Sequence, residues 1–138
     1  MSTDTVQQTI QQFVSDWFRA MEPMPDNIDW FVDHLSDSLV LSMPEGEFEG
    51  HTGFEQWYRG AAKTFQAGWV HDVQELKVGE ESEGLYPVEM ALNLVATLNS
   101  PEGKPARQLN LPLRERWTVA VSETGAVAIH SYRVTMGR

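Results

Sequence analysis

The run Gln108 to Ser122 constrains the fold of this chain more than any other stretch. Every second residue reads Leu109, Leu111, Leu113, Glu115, Trp117, Val119, Val121. A period of two marks a half-buried strand, so these seven side chains share one face. A strand this long and greasy needs neighbouring strands and a second layer to cover it. Six of the seven are apolar, and the seventh is Glu115. A carboxylate turned into an apolar interior is costly unless it is paired or takes up a proton. Two readings stay open. Glu115 lines an interior hollow as a carboxyl of raised pKa, or it is neutralised by Arg114, Arg116 or Arg133 at a sheet edge. A one-residue bulge at Arg114–Arg116 would flip the face and favour the second.

The rest of the chain supplies the neighbours. Val6, Ile10, Phe13, Val14, Trp17, Phe18 and Met21 form one helical stripe, with a capping box at Thr5–Gln8 and a stop at Pro23 and Pro25. A short helix is expected over Ile28–Leu35 and a third from Thr52, again with a capping box, to about Gln66. A short strand precedes the third helix at Ser38–Met43 and turns at Pro44-Glu45-Gly46. Strands are expected over Trp69–Val78, Tyr86–Asn99, Gln108–Ser122 and Ala126–Met136, the middle two joined by a hairpin loop at Ser100–Pro105. Hairpin-linked strands after helices imply an α+β fold, with helices on one face of an antiparallel sheet.

The 138 residues are the length of one domain, and 1–138 is read as one. A net charge of −10 disfavours nucleic acid and anionic membrane surfaces, which need a basic patch. There are no cysteines, hence no disulfide or thiolate chemistry. The amino-terminal residues are polar and acidic, without the basic and apolar regions of a secretion signal, and no apolar run is long enough to span a bilayer. The expectation is a soluble cytoplasmic chain.

The order of elements resembles the nuclear-transport-factor-2-like superfamily, in its SnoaL-like and ketosteroid-isomerase-like branches. Asp37-Ser-Leu-Val-Leu-Ser-Met-Pro-Glu-Gly46 resembles the family's first strand and turn. Glu49-Gly50-His51-Thr52-Gly53-Phe54 resembles its entry to the third helix, and Trp117 to Val134 its closing hairpin. The resemblance implies a cone of three helices packed on a strongly curved, cystatin-like sheet around a pocket. It also implies a homodimer paired through the outer sheet face, here with Ala91, Val95 and Ala120. Members include isomerases, cyclases, dehydratases and proteins without chemistry. The isomerase-like general base falls at Met43, which cannot abstract a proton, and the helix-one Tyr near Phe13. The second acidic position, a protonated hydrogen-bond donor, falls at Glu115.

The candidate catalytic residues are therefore Glu115, as acid or hydrogen-bond donor, with His130 or His71 as proton-transfer partner. His130 and Tyr132 alternate on the last strand. The turn at Ser122–Gly125 decides whether they or Ile129, Ser131 and Arg133 face Glu115, and the family's usual register puts His130 and Tyr132 inside. Trp17, Met43, Trp57, Trp117 and Tyr132 are the candidate ligand-lining residues, suited to a small apolar molecule with one carbonyl or hydroxyl. No metal is expected: the four histidines are scattered without ligand spacing. No phosphate loop or nucleophile elbow appears, and no cofactor is expected. The leading function is a cofactor-independent acid–base isomerase, cyclase or dehydratase. The alternatives are a non-catalytic ligand-binding protein and a dimerising module with a filled core.

Overall fold

The long stripe on the first helix is what the sheet folds around. In the computed structural model, which describes residues 3–100 and 104–137, α1 spans Thr3–Met21. Val6, Ile10, Phe13, Val14, Trp17, Phe18 and Met21 are all buried. The chain then turns through Pro23 and Pro25 into a short α2, Asp29–Asp33. Strand β1 (Leu35–Met43) and β2 (Gly46–Glu49) form a hairpin that leads into α3 (Gly50–Thr64). Four longer strands follow: β3 Val70–Val78, β4 Tyr86–Leu98, β5 Arg107–Val121 and β6 Val127–Met136.

All six strands join one sheet in the order β2-β1-β6-β5-β4-β3. Neighbours are antiparallel except β1 and β6, which run parallel. The sheet is antiparallel as expected apart from this one pair. Two long strands at the centre carry the register. Met90 stands opposite Glu115, and Trp117 opposite both Val88 and Tyr132. The alternation read from the sequence holds: Val88, Met90, Leu92, Leu94 and Ala96 on β4 are buried, as are Leu113, Glu115, Trp117 and Val119 on β5. Between Thr118 and Val119 the partner strand carries one extra residue, since Thr118 pairs with Ser131 and Val119 with Ile129. His130 is that bulge residue. A second bulge interrupts β3 between Val73 and Glu75. Each bulge bends its strand and sharpens the twist, curling the sheet over the helices.

The helix starts differ from expectation. Thr5 lies inside the first turn of α1, and Thr52 inside the first turn of α3, whose N-cap Glu49 makes no side-chain cap bond. Gly50, with φ of 67°, reverses the chain between β2 and α3. Gly53 lets α3 lie tight on β2: a Cβ there would sit 2.9 Å from the Phe48 carbonyl carbon. Strand β2 was not expected from the sequence. The hairpin loop expected at Ser100–Pro105 lies in part on 101–103, outside the described residues.

Candidate functional site

The inner face of the sheet and the far end of α3 do not close on each other. They leave a cavity of about 270 Å³. Helix α3 supplies Trp57, Ala61 and Thr64, with Phe65 just beyond it. The β1–β2 turn supplies Met43, Pro44 and Glu45 at one rim, and β3 supplies His71 with Trp69 just before it. Leu94, Leu111 and Leu113 make an aliphatic wall, and Glu115, Tyr132 and Val134 stand beside them. Met136, 57% exposed, lies at the opening. Among the described residues, no lysine or arginine lines the cavity.

Glu115 is 4% exposed. It is inside because β5 runs through Arg114–Arg116 without a bulge, so the carboxyl keeps the parity of Leu113 and Trp117. Its neighbours Arg114 and Arg116 point to the opposite face. Arg116 pairs there with Glu89, Nη2 to Oε1 at 2.6 Å, across the strands as their opposite charges favour. No cation reaches Glu115 within ion-pair distance among the described residues. Its hydrogen-bond donor is the indole of Trp117, Nε1 to Oε1 at 3.0 Å. Burial pushes the Glu115 carboxyl up to about 7, with Trp117 and the hydroxyl of Tyr132 pulling it partly back. Burial and the nearby Glu115 charge hold the Tyr132 phenol well above its ordinary value. The Trp17 ring is also near that phenol, 6.1 Å between ring centres, yet its Nε1 has no partner in hydrogen-bonding geometry.

His71 reaches the cavity from the far strand. Its ring is stacked on Phe18 at 4.4 Å and meets Trp69 edge-on at 5.0 Å. The side chain is 6% exposed, and burial pushes the imidazole down to about 4. The ring is therefore neutral at pH 7. His71 pairs with Leu94, which pairs with Leu111, four residues before Glu115. That offset is on the order of 13 Å along the strands. No hydrogen bond links the two groups, which address the cavity from different ends.

Of the residues singled out in the sequence, Glu115, His71, Met43, Trp57 and Tyr132 converge on this cavity. Three do not line it. Trp17 and Trp117 are 0% exposed and packed in the core behind it, 6.0 Å apart between ring centres. Trp117 serves the site only through its indole bond to Glu115. His130 is excluded by the bulge: Ile129 and Tyr132 both turn inward, and the half-exposed ring between them is not part of the cavity wall. The expectation that His130 and Tyr132 share the inner face is thereby corrected. Phe65, Trp69, Leu94 and Leu111 were not foreseen as lining residues. Parity alone marks Trp69, two residues before His71, and Leu111, four before Glu115. Among the described residues, no three His, Cys, Asp or Glu side chains converge to hold a metal ion.

No protein-family model matches the chain, and no curated protein matches it in sequence. Solved structures do. A nuclear transport factor 2 superfamily protein from Salmonella enterica is 15% identical, with a TM-score of 0.79 over 99% of this chain and 94% of its own. A candidate aromatic ring hydroxylase from Novosphingobium aromaticivorans is 13% identical, with a TM-score of 0.82 over 100% of this chain and 93% of its own. A candidate dehydratase of the same fold family from Streptomyces avermitilis is 9% identical, with a TM-score of 0.80 over 98% of this chain and 99% of its own. Other structural neighbours are described as cystatin-like. A cone of three helices on a bent six-stranded sheet, matched along nearly its whole length, gives this chain the nuclear-transport-factor-2-like fold.

Proposed function

We propose that this protein binds a small, neutral, apolar molecule in the inner cavity and carries out cofactor-independent acid–base chemistry on it. The observation that carries the reading is a single carboxyl, dry and without a counter-cation, with its pKa pushed up to about 7 in an apolar wall. A group poised there is half protonated near neutral pH, where general acid–base catalysis is most effective. Protonated Glu115, beside the Tyr132 hydroxyl, is suited to donate a hydrogen bond to a ligand oxygen. Neutral His71 carries a lone pair suited to accept a proton. In that step a C–H bond breaks, an N–H bond forms on the imidazole, and the electron pair moves to the oxygen held by Glu115. Because the two groups address different ends of the cavity, the arrangement favours a conjugated carbonyl compound. There the acidic hydrogen lies several bonds from the oxygen, as an isomerase, cyclase or dehydratase requires.

The lining excludes other ligand classes. With no lysine or arginine among the described lining residues, and with Glu45 at the rim, the site is unfavourable for a carboxylate or phosphate. Its volume of about 270 Å³ falls just below the usual range for ligand cavities, roughly 300–1,000 Å³, so the ligand is small. The candidate dehydratase and hydroxylase among the structural neighbours are compatible with such a ligand.

The test is hydrogen–deuterium exchange at the ligand. Neutral conjugated ketones are screened by quenching of tryptophan fluorescence, since Trp57 and Trp69 line the cavity. Binders are then followed by proton NMR in deuterated buffer. Wild-type protein should speed loss of the acidic C–H signal, and Glu115→Gln should slow it at least tenfold while binding persists. Tight binding with no acceleration would overturn the catalytic reading and leave a binding protein. Met43 favours that second reading, since an apolar thioether fills the wall where isomerase-like relatives would carry a base. A homodimer through the outer sheet face remains a separate proposal, checked by light scattering with Ala91→Arg as the disrupting variant.

A further inference from the structure

The strand that carries Glu115 also builds a second hollow, on the other side of the sheet. Arg114 and Arg116 flank the carboxyl in sequence and turn outward, and strand pairing sets them in two cross-strand rows. One row reads Lys77, Glu89, Arg116, Arg133, Ser42 and Glu47 from β3 to β2. The next holds Glu75, Ala91, Arg114 and Thr135. Along these rows lies a groove of about 440 Å³. Ala91, opposite Arg114, is too short to fill the gap that the longer side chains leave around it. Lys77, Arg114, Arg116 and Arg133 border the groove and are exposed, four of the ten lysines and arginines in a chain of net charge −10. Arg116 and Arg133 stand directly opposite each other, a like-charge pair that costs stability on a sheet face. Of the two outward carboxylates at the groove, Glu89 is engaged by Arg116, Nη2 to Oε1 at 2.6 Å, and Glu75 pairs with no cation. Among the described residues, no carboxylate reaches Arg114, Arg133 or Lys77 within ion-pair distance, and their side chains make no hydrogen bond.

We propose that this outer groove binds the phosphoryl group of a small soluble phosphomonoester. The inference goes beyond the acid–base reading of the inner cavity and does not rest on it. Its ground is the spacing and the unpaired charge. Arg114 and Arg116 are two apart on one strand, about 7 Å, and Arg133 lies about 5 Å across from Arg116. Three long guanidinium side chains rooted in so small a triangle can converge on one tetrahedral group. A phosphoryl dianion offers three oxygens and two charges, so each planar fork finds an oxygen. A carboxylate offers two oxygens and one charge, and satisfies one fork. The bond to Glu89 occupies one nitrogen of Arg116 and leaves its other N–H groups free, so Glu89 orients that guanidinium without blocking it. Lys77, opposite Glu89, adds a point charge at the end of the row. Among the outward-facing side chains, four cations and two carboxylates leave the groove a net charge of +2. The acidic remainder of the molecule repels an anion, which confines binding to this patch. A homodimer through the same face would cover the groove, so the two occupants exclude each other.

Arginine side-chain proton–nitrogen NMR on ¹⁵N-labelled protein at pH 8 reads the site directly. Inorganic phosphate and phenyl phosphate are titrated in separate series, with sodium chloride lowered in step to hold the ionic strength. The Nε–H signals of Arg114, Arg116 and Arg133 should move together and saturate, with one dissociation constant for each probe. Those of Arg19 on α1 and Arg59 on α3 should stay in place. Arg133→Gln and Arg114→Gln should each weaken phenyl phosphate at least tenfold, and Arg19→Gln should leave it unchanged. All three arginines are exposed, so the variants fold. Shifts that never saturate, shifts that sodium chloride alone reproduces, or an affinity that survives Arg133→Gln would overturn the proposal. Saturation by inorganic phosphate but not by phenyl phosphate would overturn the ester as ligand. A dimer in light scattering whose arginine signals ignore both probes would give the face to a second copy and overturn it too. The Glu115 test reads the opposite face of the sheet, so either result can fail without the other.

Discussion

Replacing Glu115 by Gln should stabilise this protein, and by an amount that depends on pH. Gln keeps an oxygen for the Trp117 indole and puts an N–H where the neutral carboxyl has its O–H, but it never ionises. In the wild type the carboxyl ionises at 4.5 when unfolded and at about 7 when folded. Folding therefore binds the proton more tightly. Below pH 4.5 both states are protonated and the native protein bears no electrostatic penalty. As pH rises through the window 4.5 to 7, the unfolded chain ionises first and the native state loses ground. Above pH 7 the loss levels off at about 3 kcal/mol, at roughly 1.36 kcal/mol per pH unit. The same linkage gives about 1 kcal/mol at pH 5. Urea denaturation of both proteins at pH 5 and pH 8.5 measures the difference. Glu115→Gln should lead by little at pH 5 and by about 3 kcal/mol at pH 8.5, a melting shift on the order of 10 °C. A lead of the same size at both pH values would show that the carboxyl ionises freely in the native state, and the argument from a dry site would fail.

Other residues give independent checks. His71 titrates at about 4 in the folded chain against 6.5 unfolded, so the native state is penalised as pH falls through that window, by about 3 kcal/mol below pH 4. His71→Phe should lower the midpoint of acid unfolding followed by circular dichroism, and an unchanged midpoint would contradict the burial of the ring. Trp117→Phe removes the indole donor to Glu115. Carbon-detected titration should then find the carboxyl above its wild-type pKa, with a stability loss of about 1–3 kcal/mol at pH 8. Ala61 faces the cavity from α3. Ala61→Phe should fill it and weaken binding of a neutral dye such as N-phenylnaphthylamine at least tenfold, while costing about 1–3 kcal/mol in a urea melt. Undiminished dye binding would put the ligand elsewhere.

What could be read from the chain follows the reach of each physical signal. Period-two alternation is local and fixes the face of a side chain. Glu115, Leu113 and Trp117 therefore lie where β5 predicts them, and an unbroken register through Arg114–Arg116 keeps the carboxyl inside. The helical stripe from Val6 to Met21 is likewise local and buried as expected. The parallel pairing of β1 with β6 joins residues some ninety positions apart, such as Leu41 and Tyr132, and no local pattern encodes it. Strand β2 is four residues with two glutamates on an exposed edge. Charges and shortness protect such an edge from pairing with other chains, and the same features hide it from a search for apolar alternation. His130 marks the sharpest limit. Its neighbours Ile129 and Tyr132 are three apart and both buried, a spacing that no regular strand allows, so one residue between them had to be expelled. An apolar pair at odd spacing is the signature of a bulge. The odd spacing of Ile129 and Tyr132 thus argues from the chain itself that the histidine between them leaves the inner face. Which aromatic lines the cavity is subtler still. Trp17 and Trp57 both face inward, and what separates filler from lining is position along the cone. Trp17, on the last turns of α1, is ringed by Phe31, Phe54, Trp117 and Tyr132, whereas Trp57, at the middle of α3, borders the cavity.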